Sequence, residues 1–214
     1  PVPDAASLGA GERIRELAAT ARPGDRVVFL ISGGGSALLC VPIPGLSLAE
    51  KAQITDHLVK SGAPIAEINL VRRHLSQVKG GRLAAAAAAA ADDMHSFLIS
   101  DVTGDNPATI ASGPSIACPF EPERAIAILQ ASGWPVTPEL AQAMTGWNSP
   151  AAPDHPVRIV ANGQTALDAA AQAAQAEGWQ VIRLDDELTG DAAATGRAHA
   201  ALALDHAGRP GRTL

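Results

Sequence analysis

Val27 to Ile31 is an unbroken apolar run that stops at Ser32, and three glycines and a second serine follow it. A run this short, closed by turn residues, reads as a β-strand rather than a helix. It does not alternate with polar residues, so it predicts a strand buried on both faces, as in a parallel sheet. Parallel strands need crossover helices, and the rest of the chain must supply them.

Helical stretches do alternate with further short apolar runs. Gly11–Ala21, Ser47–Lys60 and Ile65–Gln77 read as helices, the second opened by Ser47 and Glu50 at capping-box spacing. Ala84–Ala91 is an alanine tract and reads as a helix, because alanine has the highest helix propensity. Ser96–Ser100, Val157–Ala161 and Gln180–Leu184 read as a second, third and fourth strand. Arg124–Ser132, Pro138–Met144, Gln164–Glu177 and Thr189–Asp205 complete the helices. The expected fold class is α/β: a Rossmann-like layered domain with a mainly parallel sheet and helices on both faces, here incomplete.

In such sheets ligands bind beyond the carboxyl ends of the strands. Three strand ends here are small or polar: Ser32-Gly33-Gly34-Gly35-Ser36, then SDVTGD from Ser100 to Asp105, then ANGQT from Ala161 to Thr165. Glycines let a backbone close on an anion and turn its N–H groups inward, and a tight turn without a ligand is the alternative. The loop is neither a Walker A motif, which needs a lysine, nor G-x-G-x-x-G, since Leu38 occupies the last position. Leu38 also breaks the G-x-S-x-G elbow, so Ser36 reads as a ligand contact rather than an attacking group. Asp101, directly after a strand, suits Mg²⁺ beside a phosphate, with capping of loop amides as the alternative. Asp105 reads equally as solvated.

The chain is acidic overall, with a net charge of −6. That argues against general nucleic-acid binding. Yet the window from Asn69 to Arg82 holds Arg72, Arg73, Lys79 and Arg82 and no acidic residue. On a helix, Arg72, Ser76 and Lys79 share one face, suited to a carboxylate or phosphate, although a solvated basic face has the same pattern. His74 reads as packing or surface. Cys40 and Cys118 form no metal or disulfide pattern, which suits a reduced cytoplasmic setting, and no run is long enough to span a membrane.

Taken together, LISGGGSALL, EINLVRRHLSQVKGGRLA, LISDVTGDNPATIASGP and VANGQTALDAA resemble, in order, the class II glycerate 2-kinases, relatives of proteins also described as hydroxypyruvate reductases of tartrate-degradation operons. The resemblance implies ATP- and Mg²⁺-dependent phosphorylation of D-glycerate at its 2-hydroxyl, in a cleft between a Rossmann-like domain and a second, C-terminal domain. It places Ser32 to Ser36, Arg72, Lys79, Arg82 and Asp101 at that cleft, with Asn162 as a further polar contact. In this reading the glycine loop and Arg82 meet phosphate or substrate. Arg72 and Lys79 pair with the glycerate carboxylate or the transferring phosphoryl group, and Asp101 holds Mg²⁺ or orients the attacking hydroxyl.

The family's lysine-bearing N-terminal segment and its C-terminal domain are not found in residues 1–214. The chain is therefore expected to be part of the first domain, inactive alone, with the missing domain as its partner and homo-oligomerisation left open. The alanine tract is expected to alter only a helix surface. Two other readings stand beside the kinase: an NAD(P)H-dependent hydroxypyruvate reductase, lacking the dinucleotide fingerprint, and a non-catalytic anion-binding domain.

Overall fold

The computed structural model describes residues 3–147, 152–184, 188 and 190–207. The chain divides into two compact units, Pro1–Val160 and Ala161–Leu214.

In the first unit, α1 (Ala5–Ala19) leads into β1 (Arg26–Ser32) and a single-turn helix, α2 (Gly35–Leu38). Then come α3 (Leu48–Lys60), α4 (Ile65–His74), α5 (Arg82–Ala88) and β2 (Asp93–Ile99). Two 3₁₀ turns, Thr103–Asp105 and Ile110–Ser112, precede α6 (Pro122–Ala131), α7 (Pro138–Gly146) and β3 (Val157–Ala161), which runs up to the boundary. The sheet order is β1-β2-β3, with β1 and β2 parallel and in register from Arg26 opposite Asp93 to Ser32 opposite Ile99. The expected α/β class with a parallel sheet is therefore found.

Side-chain spacing explains two cores. On α3, Lys51, Ile54, Thr55 and Leu58 recur at helical spacing and are all buried. Ile54 and Leu58 join Ile68, Val71 and Leu75 of α4 and its cap, Leu129 of α6 and Met144 of α7 in one core. A second core lies against the sheet, where Phe29 and Met94 pack on Ala18 of α1 and on Leu83, Ala84 and Ala87 of α5. The alanine tract is thus part of a core, contrary to the expectation that it alters only a helix surface. Methyl groups at Ala84 and Ala87, both fully buried, let α5 sit close to the strands.

β1 is not buried on both faces. Val28 is 47% and Leu30 79% exposed, while Phe29 is buried. An uninterrupted apolar run does not by itself distinguish one covered face from two. The predicted helix Ile65–Gln77 ends at His74, where Leu75 caps it. His74 Nε2 accepts from the Glu121 N–H at 2.8 Å, so Nδ1 carries the proton and donates to the Leu70 carbonyl at 2.8 Å. His155 Nε2 lies 2.8 Å from the Ser96 hydroxyl, which also meets the Ser115 hydroxyl at 2.7 Å. Both histidines join segments of the fold.

The second unit contains α8 (Gly163–Ala176) and α9 (Ala192–His206). Of the fourth predicted strand, Gln180–Leu184, only Gln180 takes part in a β-bridge. Among the described residues, no helix is long and apolar enough to cross a membrane.

Candidate functional site

Two adjacent strand ends converge as the sequence predicts. Gly33 follows β1 and Asp101 lies two residues beyond β2. They approach so closely that a Cβ on Gly33 would stand 2.0 Å from the Asp101 carboxyl group. Only glycine leaves that space. Gly34, next in the loop, has φ +77, which glycine adopts without the penalty a side chain would incur. Asp101 itself is exposed.

Behind the loop lies Lys79, 1% exposed. Its Nζ donates to the Ser36 carbonyl at 2.7 Å and lies 3.4 Å from Ser36 Oγ and 3.5 Å from the Ala111 carbonyl. Ser36 Oγ and Ser112 Oγ are 2.7 Å apart. Ser112 is buried and Ser36 half-buried. Ala111, Ser112 and Gly113 all have left-handed backbone, with φ +50, +67 and +60. For the two non-glycine residues this costs of order 1 kcal/mol each or more. Tertiary hydrogen bonds hold the segment there: the N–H groups of Gly80, Gly81 and Leu83 donate to the carbonyls of Ser112, Gly113 and Pro114. The bent segment sets the Ser112 hydroxyl against Ser36 and the Ala111 carbonyl towards Lys79.

Lys51 is a second buried lysine, 3% exposed, with Nζ donating to the Leu75 carbonyl at 2.7 Å. Among the described residues, no carboxylate forms an ion pair with Lys51, Arg72, Lys79 or Arg82. Burial, with the charges of Lys51 and Arg72 adding to it, pushes the Lys79 ammonium down to about 7. Burial pushes Lys51 down to about 8, opposed by the nearby Cys40 thiol. A buried cation without a counterion loses hydration and gains only neutral dipoles, which favours the uncharged form.

The remaining predicted residues divide. Arg72 is half-buried and reaches Asn69 Oδ1 at 3.5 Å, and burial lowers its pKa. Arg72 and Lys79 interact although α4 ends between them, so a shared helix face is not what joins them. Arg82 Nη1 is committed to the chain, donating to the Arg73 carbonyl at 2.5 Å and the Ser76 carbonyl at 2.7 Å. Ser32 is exposed at the end of β1, and Gly35 packs towards the Ala111 methyl. Asn162 belongs to the second unit, where its side chain accepts from the Thr165 N–H at 2.9 Å and caps α8. Asp105 has φ +50 in the first 3₁₀ turn.

Sequence reading missed Lys51 and Ser112. Lys51 carried a signal, since it shares the apolar face of α3 with Ile54 and Leu58. Ser112 carried only its place near the end of the LISDVTGDNPATIASGP stretch, because its backbone conformation is imposed by contacts distant in sequence. No group of three or more His, Cys, Asp or Glu residues able to hold a metal ion occurs among the described residues.

The first unit is a parallel α/β domain whose polar groups gather at the carboxyl edge of β1 and β2. The chain belongs to the family described as Domain of unknown function (DUF4147), which matches residues 1–146. It is 43% identical over 208 residues to an Agrobacterium vitis protein named "Putative hydroxypyruvate reductase", covering 95% of this chain and 47% of that protein. It is 36% identical over 197 residues to the D-glycerate 2-kinase of Thermotoga maritima, covering 92% and 47%. A crystal structure of glycerate kinase from Thermotoga maritima superimposes with a TM-score of 0.80 at 34% identity, covering 99% of this chain and 51% of that one. The chain thus spans about half the length of these relatives.

Proposed function

We propose that the whole protein to which this chain belongs phosphorylates D-glycerate at the 2-hydroxyl with ATP, giving 2-phosphoglycerate. The observation that carries the proposal is the closure of the Asp101 carboxylate onto Gly33, beside a loop backed by an unpaired buried lysine. Glycerate and ATP are both anions, and phosphoryl transfer needs positioning and positive charge more than covalent chemistry. The similarity to proteins named glycerate kinase supports the same reading.

In this proposal Ser32 to Ser36 receive the phosphate or substrate through backbone N–H groups and the Ser36 hydroxyl. Arg72 pairs with the glycerate carboxylate or the transferring group. Lys79 is too deeply buried to touch a ligand directly, so it acts as a positioning residue that holds the Ser36 carbonyl. Arg82 braces the 73–76 segment beside them. Asn162 remains a candidate contact only if α8 is approached at its cap.

A single exposed carboxylate fits Mg²⁺ that keeps its waters and is held mainly by nucleotide phosphates, rather than a closed protein cage. Asp101 is the residue that would hold it, and the ion would neutralise charge on the phosphates. Residues 1–214 would then be part of the first domain of a two-domain kinase, working in the cytoplasm and inactive without the C-terminal domain.

The test is to incubate the whole protein with ATP, Mg²⁺ and D-glycerate and follow the products by ³¹P NMR. A 2-phosphoglycerate resonance is expected, and its absence overturns the proposal. NADH oxidation dependent on hydroxypyruvate, without phosphoryl transfer, would instead support a reductase, the function in the name of the Agrobacterium relative.

A further inference from the structure

We propose that a pocket between α1 and α5 binds a small organic anion, whose carboxylate is held by Arg15 and Arg82 and whose apolar body lies against alanine methyl groups. The pocket has a volume of about 340 Å³. It is lined from α1 by Arg15 and Ala19, from α5 by Arg82, Ala85 and Ala86, and by Trp147, the cap of α7. None of these residues belongs to the glycine loop, and Asp101 is not among them. Ligand pockets begin at roughly 300 Å³, so this one suits a compact molecule.

The polar groups of the pocket are mostly donors. Arg15 Nη1 donates to Gln77 Oε1 at 3.1 Å, and Gln77 Nε2 donates to the Pro42 carbonyl at 2.6 Å, so the amide that orients Arg15 is itself fixed. Arg82 Nη1 is fixed by the Arg73 and Ser76 carbonyls. Among the described residues, the other nitrogens of both guanidinium groups make no hydrogen bond, and neither arginine pairs with a carboxylate. Glu16 also lines the pocket, yet it forms no ion pair with them. Arg15 Nε and Trp147 Nε1 are buried and have no hydrogen-bond partner among the described residues. Buried donors in folded proteins nearly always meet an acceptor. Here the chain supplies none, and an acceptor from outside would fill that role.

Charge and shape narrow the choice of acceptor. A water molecule could satisfy a donor but would leave both guanidinium charges unbalanced. A carboxylate accepts from several N–H groups at once, and its plane matches the guanidinium fork. A bare inorganic anion would leave the rest of the lining in water. That lining is apolar: Ala19, Ala85 and Ala86 present only methyl groups, and Ala85 and Ala86 are half-buried. The indole of Trp147 adds a flat apolar surface with one donor at its edge. A carboxylate carried on a ring-sized apolar group uses all of these features.

The experiment titrates the whole protein with benzoate, without ATP or glycerate, and follows the Trp147 indole N–H by NMR, assigned by its loss in Trp147→Phe. A saturable shift is expected. Benzoate should bind at least about ten-fold more tightly than acetate, which lacks the ring, and than benzyl alcohol, which lacks the charge. Arg15→Leu should weaken benzoate at least about ten-fold by removing charge-assisted hydrogen bonds. Ala86→Leu should also weaken it, by filling the apolar side of the pocket with both charges intact. No saturable shift at Trp147, binding of acetate, benzyl alcohol or inorganic phosphate as tight as that of benzoate, or unchanged affinity in Arg15→Leu overturns the inference. The comparison of ligands on the unmodified protein decides even if a variant does not fold. Phosphoryl transfer is not part of the readout, so the kinase reading stands or falls separately.

Discussion

The Asp101 carboxyl group lies where a Cβ on Gly33 would be, 2.0 Å from that position. The carboxylate two residues beyond β2 thus occupies space that only the lack of a side chain at Gly33 leaves open.

Gly33→Ala should therefore displace Asp101 or the loop while leaving both hydrophobic cores intact. Displacements of about 1 Å at a reacting centre cost on the order of 100-fold in rate. We expect glycerate phosphorylation by the whole protein to fall by at least ten-fold, with the urea midpoint little changed. Equal activity in Gly33→Ala would show that the closeness of the two residues has no functional weight.

Buried lysines set a pH dependence of stability. Lys79 and Lys51 titrate near 7 and 8 in the folded chain, against 10.5 for a solvated lysine. Between those values the unfolded chain binds more protons, so stability rises with pH and the burden of burial is greatest below about 7. Denaturant midpoints should increase from pH 7 to pH 9.5. Lys79→Met should flatten that increase.

His74 acts with the same sign at lower pH. Burial is the main reason its pKa lies below the usual 6.5, and the neutral ring accepts from the Glu121 N–H. Protonation removes that acceptor, so stability should fall as pH drops below 6.5 through the folded-state value. An NMR titration of the His74 ring, recorded beside the unfolding midpoint, checks both halves of the statement.

Arg82 should prove a brace. Its Nη1 holds the carbonyls of Arg73 and Ser76, so Arg82→Lys should cost about 1–3 kcal/mol of stability. The KM for glycerate and ATP should stay within about two-fold, a change of under 1 kcal/mol. A large rise in KM at unchanged stability would return Arg82 to the ligand-binding set.

Sequence and structure agree where local chemistry dictates the outcome. The glycine loop after β1, Asp101 after β2 and the Ser47 cap of α3 were all legible, because strand ends and caps use few residue types. Asn162 was legible as a polar residue at a strand end, but its local partner Thr165 makes it a cap. The face of β1 was not legible, since Val27 to Ile31 is apolar whichever side is covered. Lys51 was legible in retrospect from its helical phase. The Ser36–Ser112 contact was not, because it depends on left-handed backbone fixed by hydrogen bonds from Gly80, Gly81 and Leu83.

Lys79 clasps two distant segments mainly through main-chain oxygens. Every amino acid presents the same carbonyl, so the clasp does not depend on which side chains stand at positions 36 and 111. Over generations of substitution its anchor points are free to drift, and only the lysine is held to its identity. A related chain could thus lose the Ser36 hydroxyl, and any chemistry that depends on it, while keeping the architecture that surrounds it.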